Sequence, residues 1–304
     1  MVEIVISVPN LGDNTMTSPI PRPGSLKIRS YISGASSASG AVEVSKLSSN
    51  ESALGPSPAA MKAYKDAINR IYRYPDASVY ELRSSLAKAH NIDEERIVCG
   101  DGSDELLQLL AIGYSGPGDD VLYTEFGFII YPMVAHAAGS NPIPVKEKDY
   151  KIDVDEIINS VTNKTKIVFI ANPNSTGTYL PEKDILRLHA NLPETVLLVI
   201  DAAYAEFANV KDYSSGVELV RNTSNTVMTR TFSKAYGLAG LRLGWCFAPF
   251  PIANVLNRLR GPFNVSLPAQ MAGVAALNDR VYLENVRDYN TKWREWLSNE
   301  LLKL

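Results

Sequence analysis

The chain is poor in the residues that build metal centres and covalent staples: of its 304 residues, two are cysteine and three are histidine. Cys99 and Cys246 lie far apart in apolar, strand-like runs, so neither a disulfide framework nor a paired-cysteine metal site is expected. His90, His136 and His189 are equally scattered, which excludes a histidine-based zinc constellation. Charge of one sign is missing as well. Thirty Lys and Arg stand against 33 Asp and Glu, a formal net charge of -3, and no like-charge run offers a footing to a nucleic acid or a membrane surface. The apolar start over 2–8 is interrupted by Glu3 and has no basic lead, so it is too short and too polar for a signal peptide or a membrane span. A cytoplasmic protein acting on a small molecule is the expectation. Internal repeats are absent, and the tract SGASSASG over 33–40 reads as a flexible loop.

What is present is apolar and periodic. A hydrophobic fraction of 45% in a chain of this length supports one large core and a smaller satellite. From about Arg96 onward, short β-branched runs alternate with segments of helical period, the pattern of a parallel sheet covered by helices in an α/β fold. Strands are predicted over 97–99, 120–123, 143–145, 166–171, 196–200, 226–229 and 244–248, and helices over 78–90, 104–114, 129–138 and 182–189. Residues 1–45, rich in Pro, Gly and Ser, read as an extended arm, 46–265 as a large domain, and the helical pattern over 266–304 as the start of a smaller one.

Four segments and a pair of aromatic residues carry chemistry. In TFSKAYGLAGLRLG over 231–244, Lys234 sits among small and apolar residues, ahead of a Gly-rich turn and Arg242. A lysine in a turn is ordinarily a solvated surface residue. Here a nearby cation and partial desolvation would both lower its pKa and give the amine the nucleophilicity that Schiff-base formation needs. Ser233 and Arg242 are then phosphate ligands, Arg242 through its fork of paired donors. Next, the apolar residues 196–200 end at Asp201, which places a carboxylate at the C-terminal edge of a buried parallel strand, where α/β sheets bind ligands. Two readings of Asp201 stand: it caps the following turn, or it holds the ring nitrogen of pyridoxal 5'-phosphate (PLP) so that the ring can accept carbanion electrons. Tyr204 would then reach the ring's phenolic oxygen.

The strand over 166–171 runs into NPNSTG over 172–177. That is ordinary turn punctuation, but an Asn amide there can also donate to the phenolic oxygen, with Asn174 the choice and Asn172 the reserve. The stretch GDGSDE over 100–105 reads as strand, glycine turn and helix start, so that Gly102, Ser103 and Asp104 present free backbone N–H groups to a phosphate. It is not a nucleotide fingerprint, because Glu105 replaces the third glycine and no Walker lysine follows. Of Phe128 and Tyr131, one ring can stack on a pyridine face. The i to i+3 spacing assigns Phe128 to the core and Tyr131 to the stacking role.

Together these segments resemble the histidinol-phosphate aminotransferases of the fold-type I PLP superfamily. The likeness runs from PRPG at 21–24 through LSSNE at 47–51, LGPSP at 54–58 and RYPD at 73–76, and on past the Lys234 segment to GPFNVS at 261–266. It implies a mostly parallel central sheet with helices on both faces of a large domain, plus a smaller α+β domain. It also implies that Lys234 holds PLP as an internal aldimine and shuttles the proton, that Asp201 holds the ring nitrogen, and that Asn174 and Tyr204 hold the phenolate. Ser103, Asp104, Ser233 and Arg242 would bind the phosphate, with Tyr131 stacking. The counterpart of Tyr74 reaches the phosphate from the neighbouring subunit, which implies a homodimer. The implied substrates are histidinol phosphate and the 2-oxoglutarate/glutamate pair. An aromatic aminotransferase, a PLP-dependent phospho-amino-acid decarboxylase and a PLP-binding protein without turnover are the competing readings. Two departures stand out. The family turn reads NPNNPTG, one residue longer than here, and family members carry a late arginine for the substrate anion, whereas the last arginine here is Arg294. The expectation is a small domain that is C-terminally incomplete.

Overall fold

The structure is a computed structural model and describes residues 20–31 and 46–304. The apolar start at 2–8 and the small-residue tract at 33–40 lie outside the described residues. In chain order the elements are α1 (Pro58–Ala67), α2 (Tyr80–His90), β1 (Ile97–Asp101), α3 (Gly102–Tyr114), β2 (Asp120–Thr124), α4 (Ile130–Ala138) and β3 (Asn141–Val145). A short hairpin of β4 (Glu147–Lys148) and β5 (Lys151–Ile152) precedes α5 (Val154–Ser160), β6 (Thr165–Ala171), α6 (Glu182–Ala190) and β7 (Leu197–Asp201). Then come α7 (Val217–Asn222), β8 (Thr226–Thr231), β9 (Leu243–Phe247), α8 (Phe250–Leu259), α9 (Leu267–Asn278) and α10 (Arg280–Leu301).

Among the described residues the main sheet has seven strands in the order β1-β9-β8-β7-β6-β2-β3. Strand β9 runs antiparallel to both of its neighbours, and the other pairings are parallel. Each strand predicted from the sequence is one of these seven, and the four predicted helices are α2, α3, α4 and α6. The unbroken apolar runs of β6 and β7 follow from burial on both faces. Ile167, Phe169, Leu197 and Val199 pack beneath α3, α4 and α8. Their neighbours Val168, Ile170, Leu198 and Ile200 pack against α5 and α6 on the other side.

Helix α9, on the C-terminal side of the boundary drawn at 265, sends Ala269, Ala272 and Ala276 into a core cluster with Leu82 and Leu86 of α2 and Leu243 and Trp245 of β9. Ser266 caps it by accepting from Ala269 N–H, and Pro268 lies in its first turn, where a missing N–H costs nothing. Helix α10 buries Val286 and leaves Trp293, Trp296 and Leu297 partly exposed. No helix among the described residues is long and apolar enough to cross a membrane.

Candidate active site

Register and alternation bring the site together. Ala171 of β6 pairs with Asp201 of β7, which pairs with Thr229 of β8, at strand ends where the apolar ladder below them stops. Because side chains alternate, Asp201 falls on the same face as Leu197 and Val199, toward α4. Tyr131 donates its phenol to Asp201 Oδ2 at 2.9 Å, and Thr229 donates its hydroxyl to Oδ1 at 3.0 Å. Burial pushes the Asp201 carboxyl up to about 6 from its ordinary 3.8, against the pull of these two donors.

Tyr131 is fully buried and stacks on Phe169, with centroids 5.0 Å apart. It does not face the cavity, so the stacking role assigned to it from the sequence is corrected. Phe128, assigned to the core, lines the cavity and is 41% exposed. The reason is local. Helix α4 starts at Ile130, so Phe128 precedes it and helical spacing does not relate the two rings.

The anion end is built from β1, α3 and β9. Gly102 takes φ +77°, and a Cβ there would lie 2.2 Å from Arg242 Nη2. A Cβ on Gly244 would lie 2.3 Å from Ser103 N, so glycine in β9 is what lets the first turn of α3 approach. Arg242 donates to Ser233 Oγ at 3.2 Å and to Asp104 Oδ2 at 3.3 Å. Burial raises the pKa of Asp104, and its fitting contribution to an anion is the free backbone N–H of a helix start.

Lys234 Nζ donates to Ser49 O at 3.0 Å and lies 5.6 Å from the Tyr204 ring centroid. Burial lowers its pKa, and the Arg242 charge lowers it further. The Tyr204 hydroxyl accepts from Asn50 Nδ2 at 3.0 Å. Asn174 lines the cavity, whereas Asn172 is fully buried and uses both ends of its amide on Leu180. The shortened turn therefore still delivers Asn174.

Asp104, Asn174, Asp201, Tyr204, Lys234 and Arg242 line one cavity of about 140 Å³, with Ser103 and Ser233 also on its wall. A larger cavity of about 660 Å³ shares Asn174 and Tyr204 with it, so the inner space suits a compact group and the outer one the bulk of a substrate. The outer wall is α10, through Tyr289, Trp293 and Arg294. Tyr74 is not brought into either cavity. It is 81% exposed and stacks on Phe263 at 4.5 Å. Arg22, from the PRPG segment at 21–24, donates to Ala138 O at 3.1 Å at the C-terminal end of α4. Sequence reasoning weighed Phe128 and gave it to the core, and it missed Thr229 and Asn50. Of these two only Asn50 left a signal, as part of LSSNE, and it adopts φ +52°, a conformation asparagine tolerates.

PLP fits this donor set on chemical grounds. The cavity offers an amine, a buried carboxylate for a ring nitrogen, two donors for a phenolate, an aromatic face and an anion cup at a helix start. The model of class I and II aminotransferases matches residues 42–304. The chain belongs to that family. It is 50% identical over 290 residues to the histidinol-phosphate aminotransferase of Paramagnetospirillum magneticum, covering 95% of this chain and 80% of that one. To the enzyme of the same name from Rhodopseudomonas palustris strain BisB18 it is 49% identical over 291 residues, with the same coverage. The crystal structure of histidinol-phosphate aminotransferase from Sinorhizobium meliloti in complex with PLP superposes with a TM-score of 0.76 at 30% identity. That match covers 79% of this aminotransferase chain and 65% of the Sinorhizobium chain. The seven-stranded sheet with its one antiparallel strand is accordingly that of a fold-type I aminotransferase.

Proposed function

We propose that this aminotransferase moves the amino group of histidinol phosphate to a 2-oxo acid, with 2-oxoglutarate and glutamate as the partner pair and PLP as cofactor. The observation that carries the reading is the meeting of Lys234, Asp201 and the Ser233–Arg242 cup in one cavity, in a chain half identical to a histidinol-phosphate aminotransferase. When bound, PLP supplies a carbonyl for condensation with an amine and a ring that accepts electrons from the carbon losing its proton.

The protein does the rest. Lys234 Nζ, its pKa lowered by burial, is the amine that would hold the cofactor, and it would serve as the base that takes and returns the proton at the substrate carbon. Asp201 would hold a proton on the ring nitrogen, with Tyr131 and Thr229 fixing its orientation. Tyr204 and Asn174 donate to the phenolate, and Arg242, Ser233 and the first N–H groups of α3 hold the phosphate. Arg294 on the outer wall is the cation placed to meet the substrate's anionic end. Tyr74, exposed beside Phe263, is the residue that a second copy would meet in a homodimer. Cys99 and Cys246 are free and buried, in keeping with a reducing cytoplasm.

The test is a single turnover. PLP-loaded protein mixed with L-histidinol phosphate, without a 2-oxo acid, should lose its visible band while forming one equivalent of ketone. Borohydride added beforehand should place the cofactor's mass on the peptide containing Lys234. An adduct on a different lysine, or faster turnover with phenylalanine or tyrosine as donor, would overturn the assignment.

A further inference from the structure

On the face of the sheet away from the cavity lies a charged pair that the proposed chemistry does not use. Along β8, Thr229 bonds Asp201 and Thr231 lines the cavity, and Arg230 between them points the opposite way. Its Nη2 donates to Glu206 Oε1 at 2.6 Å, with the two side chains only 8% and 4% exposed. Glu206 lies two residues beyond Tyr204, in a single 3-10 turn, Ala205–Phe207. Trp245, the partner of Arg230 across β9, has its ring 5.8 Å from the guanidinium carbon, and Tyr213 and Tyr236 are near enough to act on the Arg230 charge.

Taking two charges out of water is costly, and an apolar pair of similar volume is often neutral or stabilising in its place. Compensation here is incomplete, because Arg230 Nε and the second carboxylate oxygen of Glu206 are buried with no hydrogen-bond partner among the described residues. What the pair does supply is placement. Ala202 N–H donates to Thr229 O at 2.9 Å, so residues 202–206 are tied to β8 at both ends, with Tyr204 between the ties. Beside the pair, Tyr213 donates to Asn172 O at 3.1 Å and holds the turn that carries Asn174.

We propose that Arg230 and Glu206 are positioning residues, their ion pair holding the turn at 202–206, and with it the Tyr204 hydroxyl, in register with Asp201. The proposal rests on the reading of Tyr204 and Asp201 as PLP ligands. The test compares Arg230→Met, Glu206→Leu and the double variant in the PLP-loaded full chain. Each single variant leaves a buried charge unpaired and should melt lower, whereas the double removes both charges and should melt near the wild type. The double variant should still carry the adduct on Lys234. The ratio of its visible bands at one fixed pH should move toward that of Tyr204→Phe, and its kcat should fall about tenfold to a hundredfold with KM changed less. A double variant with wild-type band ratio and kcat would overturn the proposal and leave the pair a purely structural one. Arg230→Lys keeps the charge and loses the fork. Hydrogen exchange at the amides of 202–206 should be faster in that variant than in the wild type, and unchanged exchange would equally overturn the proposal. The exchange result does not depend on PLP, so failure of the functional reading, seen as no adduct on wild-type Lys234, is separable from failure of the pair.

Discussion

Tyr131 and Asp201 are joined by a 2.9 Å hydrogen bond between two buried side chains, Asp201 on the cavity wall and Tyr131 behind it. The bond keeps a carboxylate in place where burial alone would drive it toward the neutral form. With a folded pKa of about 6 against an ordinary 3.8, the folded protein retains a proton between these values that the unfolded chain has already released. Stability of the cofactor-free protein therefore falls as pH rises through that window, by on the order of 3 kcal/mol from this group. Asp201→Asn removes the titration. Urea unfolding of the cofactor-free proteins should give similar stabilities near pH 4 and a more stable Asn variant at pH 7.5. The same stability difference at both pH values would count against a buried, raised carboxyl.

The placement of Phe128 on the cavity wall and of Tyr131 behind it gives a paired prediction. Phe128→Ala should weaken PLP binding about tenfold, the loss of one aromatic contact, with little change in folding stability. Tyr131→Phe should instead lower folding stability by about 1–2 kcal/mol through the lost bond to Asp201. Absorbance titration with PLP and denaturant unfolding separate the two effects. The opposite pattern would return the stacking role to Tyr131.

Gly244 is where the anion cup is most sensitive. The methyl group of Gly244→Ala would meet Ser103 N at 2.3 Å and push the first turn of α3 away. PLP affinity should drop tenfold or more and stability by about 1–3 kcal/mol. Gly240→Ala, in the same segment with nothing within 4 Å of the added carbon, is the control. Equal effects in the two variants would mean that close approach at Ser103 is not what the cup needs.

Much of this was legible in the sequence because burial on two faces writes itself as unbroken apolar runs, as in β6 and β7, and because Asp201 interrupts one of them. Lys234, Ser233 and Arg242 were legible because their segment carries a cation and small residues where neither is usual. What local pattern hides is long-range partnership. The sequence spaces Phe128 and Tyr131 like neighbours on a helix, but α4 begins between them. Arg230 and Glu206 are 24 positions apart and read as two ordinary surface charges until β8 is set beside the turn after β7. Local pattern does not say which of Asn172 and Asn174 faces the cavity; in the fold Asn174 lines it, while Asn172 is buried against Leu180.

Tyr74 is 81% exposed and stacks on Phe263 with the rings 20° from parallel. If a second copy meets it at the cofactor phosphate, Tyr74→Phe should weaken PLP binding, and PLP affinity of the wild type should fall on dilution. Sedimentation showing a PLP-loaded monomer would exclude this contact.

Arg294 carries the final prediction. Its nearest acidic partner, Glu295, is 3.7 Å away with both side chains more than half exposed, a pairing of little energetic weight. The acidic residue that lines the same cavity, Glu51, is occupied by Lys46 at 2.8 Å. The guanidinium is thus available to an anion entering the outer cavity, which Lys234 does not line. An exposed, charge-assisted contact there is worth about 1 kcal/mol after screening, and it is made equally in the ground state and the transition state because it is remote from the reacting carbon. Uniform binding of that kind appears in KM alone. Arg294→Gln should raise KM for histidinol phosphate about fivefold to tenfold, leave kcat within about twofold, and leave KM for unphosphorylated histidinol unchanged. An unchanged KM for the phosphorylated substrate would mean that another group receives the phosphate, and a matching fall in kcat would move Arg294 from binding the substrate's far end to orienting the carbon that reacts.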